Sequence, residues 1–388
     1  MDTTLAEGMF QEAEPASVGA DPKLLAEAVA LAAGSEPELP REMSAWLEET
    51  LAEEPWPHVM GATIDRGAPS GLVLVGGREI ARWGDPDRRE MAFSIAKSAL
   101  ATVAGLSFDD GLLGDLDEPV VERVPLSAFG GERFGGGVPE DPETARRITW
   151  RHLLTQTSDW RGVLFDLPWW ADPQGKQGRS DAPLAPGQNF SYNDVRTNLC
   201  SLALTHLRGA GNAATLGERV LAPIGVAPGW SWQGLRQMRT TLTDGSEAEV
   251  STGGSHWGGG LWLSAVELAR FGLLHLRGGD WNGARLLSED WCRMMLAPTP
   301  PRPAYGLMWW RNPAAGSGVA GAAPGALAGE DAFYPGAGAR GFAAHGTGEQ
   351  VVWCDPDRDL VAVTRWTTDP IGVLAAITAA VPARGGGA

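Results

Sequence analysis

Phe93-Ser94-Ile95-Ala96-Lys97-Ser98-Ala99-Leu100-Ala101-Thr102-Val103-Ala104-Gly105-Leu106 is an alanine-rich run whose apolar residues reach most of the way round a helix. A helix of that pattern is usually a buried one. It nevertheless carries Lys97, one of only three lysines (Lys23, Lys97, Lys176) in a chain of 388 residues. Residues i and i+3 of a helix share a face, with Cβ atoms about 5–6 Å apart, so the Lys97 amine reaches the Ser94 hydroxyl. Ser94 falls in the first turn, where unpaired N–H groups and the positive end of the helix dipole stabilise an oxyanion. Among apolar neighbours the lysine becomes a credible proton acceptor. The plain alternative is a helix start that happens to hold a serine and a lysine, since S-x-x-K fixes only two positions.

Working outward, Gly71-Leu72-Val73-Leu74-Val75, Gly76-Gly77 and Arg78-Glu79-Ile80-Ala81-Arg82-Trp83-Gly84 read as two strands on a two-residue turn. Upstream, Asp21 and Pro22 cap and open a helix, and a second helix covers about 42–53. From about 111 to 255 the chain is helical and loop-rich, with connections such as Phe129-Gly130-Gly131 and Pro183-Leu184-Ala185-Pro186-Gly187. Beyond it, helices at about 264–277 and 288–296 precede strands at Tyr305–Arg311, Glu349–Cys354 and Leu360–Trp366. A last helix covers about 370–381, and the tail Gly385-Gly386-Gly387 is expected to fray.

Two further segments bear on chemistry. Phe190-Ser191-Tyr192-Asn193-Asp194 lies about a hundred residues after Ser94. A phenol beside an ammonium group is favoured as phenolate and then serves as a general base; otherwise Tyr192 is a core tyrosine. Ala344-His345-Gly346-Thr347-Gly348-Glu349-Gln350 precedes the strand at Val351. Small residues on an edge strand let a substrate backbone approach and offer it N–H groups; otherwise the segment is a turn between strands.

Composition excludes several functions. The formal charge is −17, from 31 basic and 48 acidic side chains, and no Lys/Arg cluster exists. Nucleic acid and anionic membranes are therefore poor partners. No stretch approaches a membrane span, and the acidic start Met1–Glu7 lacks the basic and apolar regions of a secretory signal. Cys200, Cys292 and Cys354 lie far apart, as expected of reduced, buried thiols in a cytoplasmic protein. Scattered histidines and the missing HExxH motif argue against a metal. Gly336-Ala337-Gly338-Ala339-Arg340-Gly341 spells GxGxxG but follows Pro335 and opens no helix, so it is a weak nucleotide signal. No cofactor is expected.

Taken in order, the Ser94, Tyr192 and His345-Gly346-Thr347 segments resemble the serine β-lactamase and penicillin-binding-protein superfamily. The closest resemblance is to its class C-related branch of esterases, D-aminopeptidases and 6-aminohexanoate-dimer hydrolases. Leu153–Trp160, Gly258-Gly259-Gly260-Leu261-Trp262, Leu268–Gly272 and Tyr305–Trp310 add to the likeness, which runs from about residue 55 to 380. The resemblance implies an α/β, β-lactamase/DD-peptidase-like fold, an antiparallel sheet flanked by helices with an inserted, mostly helical region. Residues 1–110 and 256–388 would form the α/β domain and 111–255 the helical one, with the active site in the cleft between them.

It further implies Ser94 as nucleophile, Lys97 as its partner and Tyr192 as proton shuttle, with backbone N–H groups of Ser94 and Thr347 as oxyanion hole. Trp170, Trp257, Trp309, His345 and Gly346 would border the substrate. Class C β-lactamases carry Tyr-x-Asn and Lys-Thr-Gly, whereas this chain has Asp194 and His345-Gly346-Thr347. An extra negative charge at 194 opposes a β-lactam carboxylate. These departures favour hydrolysis of a small-molecule carboxylic ester or amide over β-lactam resistance. A D-amino-acid or oligoamide amidase, an acyltransferase and a catalytically silent binding protein are the alternatives.

Overall fold

In a computed structural model of the chain, residues 10–124, 137–172, 182–312, 334 and 336–384 are described. Strands β1 (Ser70–Val75) and β2 (Arg78–Trp83) form the expected hairpin. Gly76 and Gly77 both take left-handed φ, 63° and 76°, as the tight turn between right-twisted strands requires. The other edge of β1 pairs with Leu360–Arg365, followed in turn by Gln350–Asp355, Phe342–Gly346 and Trp310–Arg311, all antiparallel.

The sheet is buried on both faces. Val73, Val75, Val351, Trp353, Leu360 and Ala362 pack in one cluster with helix α1 (Pro22–Gly34) and the helix Pro370–Ala380. The alternate residues Leu72, Leu74, Val352, Cys354, Val361 and Val363 join the main core, where the helix Ala265–Leu276 packs on the sheet. Helix α1 starts where its cap predicts: the Asp21 side chain accepts from the N–H groups of Lys23 and Leu24. Helix α2 (Met43–Leu51) follows it.

Helix α3 (Ile95–Asp109) lies between the sheet and the helical region. It is buried at every position from Ile95 to Ser107. It contacts the strand Phe342–Gly346 on one side and the helices Asp194–Arg208, Asn212–Leu216 and Glu289–Met295 on the other. Residues 111–255 carry short strands as well as helices. Gly137–Pro139, Gly162–Leu164 and Leu167–Pro168 form a small sheet of their own. Ser231–Gln233 pairs with Gly260–Leu263, which in turn pairs with Glu90–Met91 just before Ser94.

The expected strand Tyr305–Arg311 is reduced to Trp310–Arg311. Met308 has φ 56°, and the N–H groups of Leu307 and Met308 bond the carbonyls of Met295 and Leu154 instead of a neighbouring strand. Gly336–Gly341 contains turns and no helix, and the three cysteines are free and buried. The segments Met1–Glu7, Phe129–Gly131 and Gly385–Gly387 lie outside the described residues. Among the described residues no helix is long and apolar enough to cross a membrane, and no metal-ligating cluster occurs.

Candidate active site

The site is built on the turn that starts α3. Phe93 has φ 49°, a conformation that costs a bulky residue on the order of 1–3 kcal/mol unless its surroundings impose it. Edge-on rings of Trp46 and Trp366, each 6.2 Å away, hold it there. The turn leaves Ser94 half-buried while Met91–Phe93 and Ile95–Leu100 are all buried. Its hydroxyl caps no helix N–H; it accepts from Lys97 Nζ at 2.9 Å.

Lys97 is 1% exposed. It is not a lone amine in an apolar wall, because Nζ also bonds Asp194 Oδ1 at 2.5 Å. Asp194 begins the helix Asp194–Arg208, where the Asn193 side chain caps the Arg196 N–H at 2.9 Å. The backbone of this segment is pinned by Gln156, which accepts from Asn193 N–H through Oε1 at 2.9 Å and from Ser191 N–H through its carbonyl at 3.0 Å. Burial opposes the Asp194 charge, but Lys97 and then His256 outweigh it, and the Asp194 carboxyl is held below the usual range. Asp194 N–H donates to Asp172 Oδ2 at 2.6 Å. Burial and the neighbouring Asp194 charge push the Asp172 carboxyl up.

The sequence weighs the Asp194 charge only against a β-lactam carboxylate; in the structure that charge is paired with Lys97. Tyr192 needs a correction. Its hydroxyl bonds Ser94 as expected, yet burial raises its pKa well above 10, and the fields of Asp194 and Asp172 add to that against the Ser94 bond. The ammonium lies over the face of the ring, with Nζ 4.4 Å from the centroid. Tyr192 therefore rests as the phenol, not the phenolate.

Gly346 ends its strand close to this turn. A Cβ on it would sit 2.3 Å from the Ala92 carbonyl oxygen, so only glycine lets the Gly346-Thr347-Gly348 backbone come so close. Gln350 Nε2 fixes the approach by donating to the carbonyls of Thr347 (3.0 Å) and Met91 (2.9 Å). Arg365 in turn donates to Gln350 Oε1 and to Met91 O. Sequence reasoning missed both Gln350 and Arg365; Gln350 stood inside the quoted motif, but nothing local distinguished it.

The remaining candidates separate. His345 Nε2 shares a 2.5 Å hydrogen bond with the Tyr334 hydroxyl, and burial lowers its pKa to about 3, so it is a neutral, already partnered ring. Trp170 is half-buried and meets Trp56 edge-on at 5.3 Å. Trp257 is 1% exposed, beside His256. Trp309 has no exposed surface and packs on Phe271, His275 and Phe342; it is a core residue and not a pocket wall. Trp309→Phe is expected to lower unfolding free energy by about 1–3 kcal/mol, read by urea denaturation, with no change in reactivity at Ser94.

The beta-lactamase family model matches residues 59–381. A 6-aminohexanoate-dimer hydrolase of Paenarthrobacter ureafaciens is 25% identical over 271 residues, 62% of this chain and 63% of that protein. The match thus spans less than two thirds of that relative. Among solved structures, a Bacteroides dorei protein classed with the beta-lactamases superposes with a TM-score of 0.54 at 15% identity, over 87% of this chain and 96% of the other. A D-stereospecific amidohydrolase from Streptomyces gives 0.51 at 17% identity, over 87% and 99%. At those identities the two structures speak for the fold alone.

Proposed function

The chain belongs to the beta-lactamase family of serine hydrolases, and from that premise we propose that it cleaves a carboxylic ester or amide through an acyl-enzyme on Ser94. One observation carries the assignment. Lys97 Nζ bonds the Ser94 hydroxyl at 2.9 Å and a carboxylate, Asp194, at 2.5 Å, so a proton leaving the serine has a path and a destination.

The steps then balance. Lys97 hands a proton to Asp194, and the amine so freed takes the Ser94 proton as Ser94 Oγ attacks the carbonyl carbon. The oxyanion is met by the backbone N–H groups of Ser94 and Thr347. Tyr192, resting as a phenol, donates its proton to the departing alcohol or amine and becomes the phenolate. Water next attacks the ester and gives its proton to that phenolate. Collapse returns the Asp194 proton through Lys97 to Ser94, and every group is back in its starting state. The substrate carbonyl is received at Ser94, the half-buried residue of an otherwise buried turn.

An amide substrate is supported by the match to the 6-aminohexanoate-dimer hydrolase. The proposal is tested by treating the protein and a Ser94→Ala variant with a fluorophosphonate and recording intact masses. One adduct on the parent and none on the variant is the expected result. Folded parent protein without an adduct would overturn the assignment. A panel of paired esters and amides then ranks the two bond types.

A further inference from the structure

The carboxylate that holds Lys97 is itself held. The backbone N–H of His256 bonds Asp194, and Asp194 packs so tightly on Gly254 that a Cβ there would lie 2.2 Å from its Oδ2. The His256 side chain bonds Glu54, with Nε2 2.7 Å from Oε2 and both side chains only 14% exposed. A carboxylate only accepts, so His256 Nε2 carries the proton. Glu54 follows α2 and lies before residue 59, where the family match begins. The same segment reaches the site region twice more, through Trp56 against Trp170 and through the N–H groups of Met60 and Gly61 on the Trp257 carbonyl.

We propose that Glu54 and His256 are positioning residues for the Ser94 reaction, so that a line of paired charges runs from Glu54 through His256 and Asp194 to Lys97 and the nucleophile. The inference rests on the assignment of Ser94 as nucleophile. The groups that face His256 come from three elements: Glu54 from the segment after α2, Asp172 from the loop after Leu167–Pro168, and Asp194 at the start of its helix, with Lys97 beyond it on α3. Protonated His256 opposes their negative charge and leaves the Asp194 carboxylate oriented on Lys97. When His256 loses its proton, Asp172, Asp194 and Glu54 face one another with Lys97 as the cation that remains among these residues. The carboxylates then repel, and the Asp194–Lys97 contact loosens.

Burial works against the charge on His256, but the Glu54 bond and the fields of Asp172, Glu54 and Asp194 outweigh it and raise its pKa. The sign follows: the supporting charge is present below that raised pKa and is lost as pH rises through it.

The second-order rate of fluorophosphonate labelling at Ser94, measured against pH, tests this without a known substrate. Wild type is expected to lose rate on a basic limb. Glu54→Gln keeps a hydrogen-bond partner but removes the charge, so the limb moves toward acid by about one pH unit. Proton NMR of the His256 ring should report the same displacement. Trp56 and the Met60 and Gly61 bonds hold the segment without Glu54. His256→Gln, which cannot titrate, is the second variant and should lose the limb. Superimposable profiles for wild type and both variants would overturn the inference while leaving Ser94 in place. No labelling of wild type at any pH would remove the nucleophile, and the inference with it.

Discussion

Lys97→Ala is expected to cost stability and reactivity together, and to show the larger stability loss at neutral pH. The variant leaves Asp194, 7% exposed, without the amine that bonds it at 2.5 Å. Removing one partner of a buried pair typically costs about 3–5 kcal/mol, because the other charge remains desolvated. Removing both is cheaper, so Lys97→Ala with Asp194→Ala should recover part of the loss in urea midpoints. A large interaction term between the two substitutions would be the signature of the pair.

The pH dependence has a definite sign. In the wild type the Asp194 carboxyl is depressed, so its stabilisation is present above the unfolded pKa and is lost as pH falls through the folded one. In the variant burial dominates and the carboxyl is pushed up, so acidification neutralises it and the gap to wild type narrows. Labelling at Ser94 should fall by roughly 10²–10⁴, the usual contribution of a positioned proton acceptor. An Ala variant as stable as wild type at pH 7 would mean that Asp194 finds another partner and is not held by Lys97.

The parts of this molecule that were legible in the sequence are those whose causes are local. Asp21-Pro22 states a helix start, Gly76-Gly77 states a type of turn, and a serine three residues before a lysine states a shared helix face. The site was less legible because its charges meet across the fold. Asp194 lies 97 residues from Lys97, and nothing local to either residue announces that pairing. The phenolate expected at Tyr192 counted the nearby ammonium but neither the burial nor the two aspartates. Trp309 makes the same point, since an aromatic residue in a motif packs equally well in a core or in a pocket wall, and here it is fully buried. Glu54 and His256 are 202 positions apart, and neither residue carries a local motif that announces the other.

Gly346→Ala should separate the oxyanion hole from the rest of the machinery. Gly346 has no left-handed φ among the chain's strained positions, so the argument is one of space alone. Its added Cβ would meet the Ala92 carbonyl oxygen at 2.3 Å and Phe93 Cβ at 3.4 Å. The first contact is backbone, two residues before the nucleophile, and no side chain can rotate out of the way. One of two backbones must move. The Ala92 side is bound by its N–H to Leu261 O, and Met91 O is held by Gln350 and Arg365. The Thr347 turn, which lies beyond the last ladder pair Gly346–Gln350 and is held at its tip by the Gln350 side chain, is the part that yields. Displacing one donor of an oxyanion hole lowers the rate by about 10²–10³, whereas overpacking costs about 1–3 kcal/mol of stability. The labelling rate should therefore fall by that factor while Lys97, Asp194 and Tyr192 keep their contacts, and the acid and basic limbs of the pH profile stay where they are. A variant that unfolds at lower urea but labels at the wild-type rate would place the oxyanion donors away from the Thr347 turn.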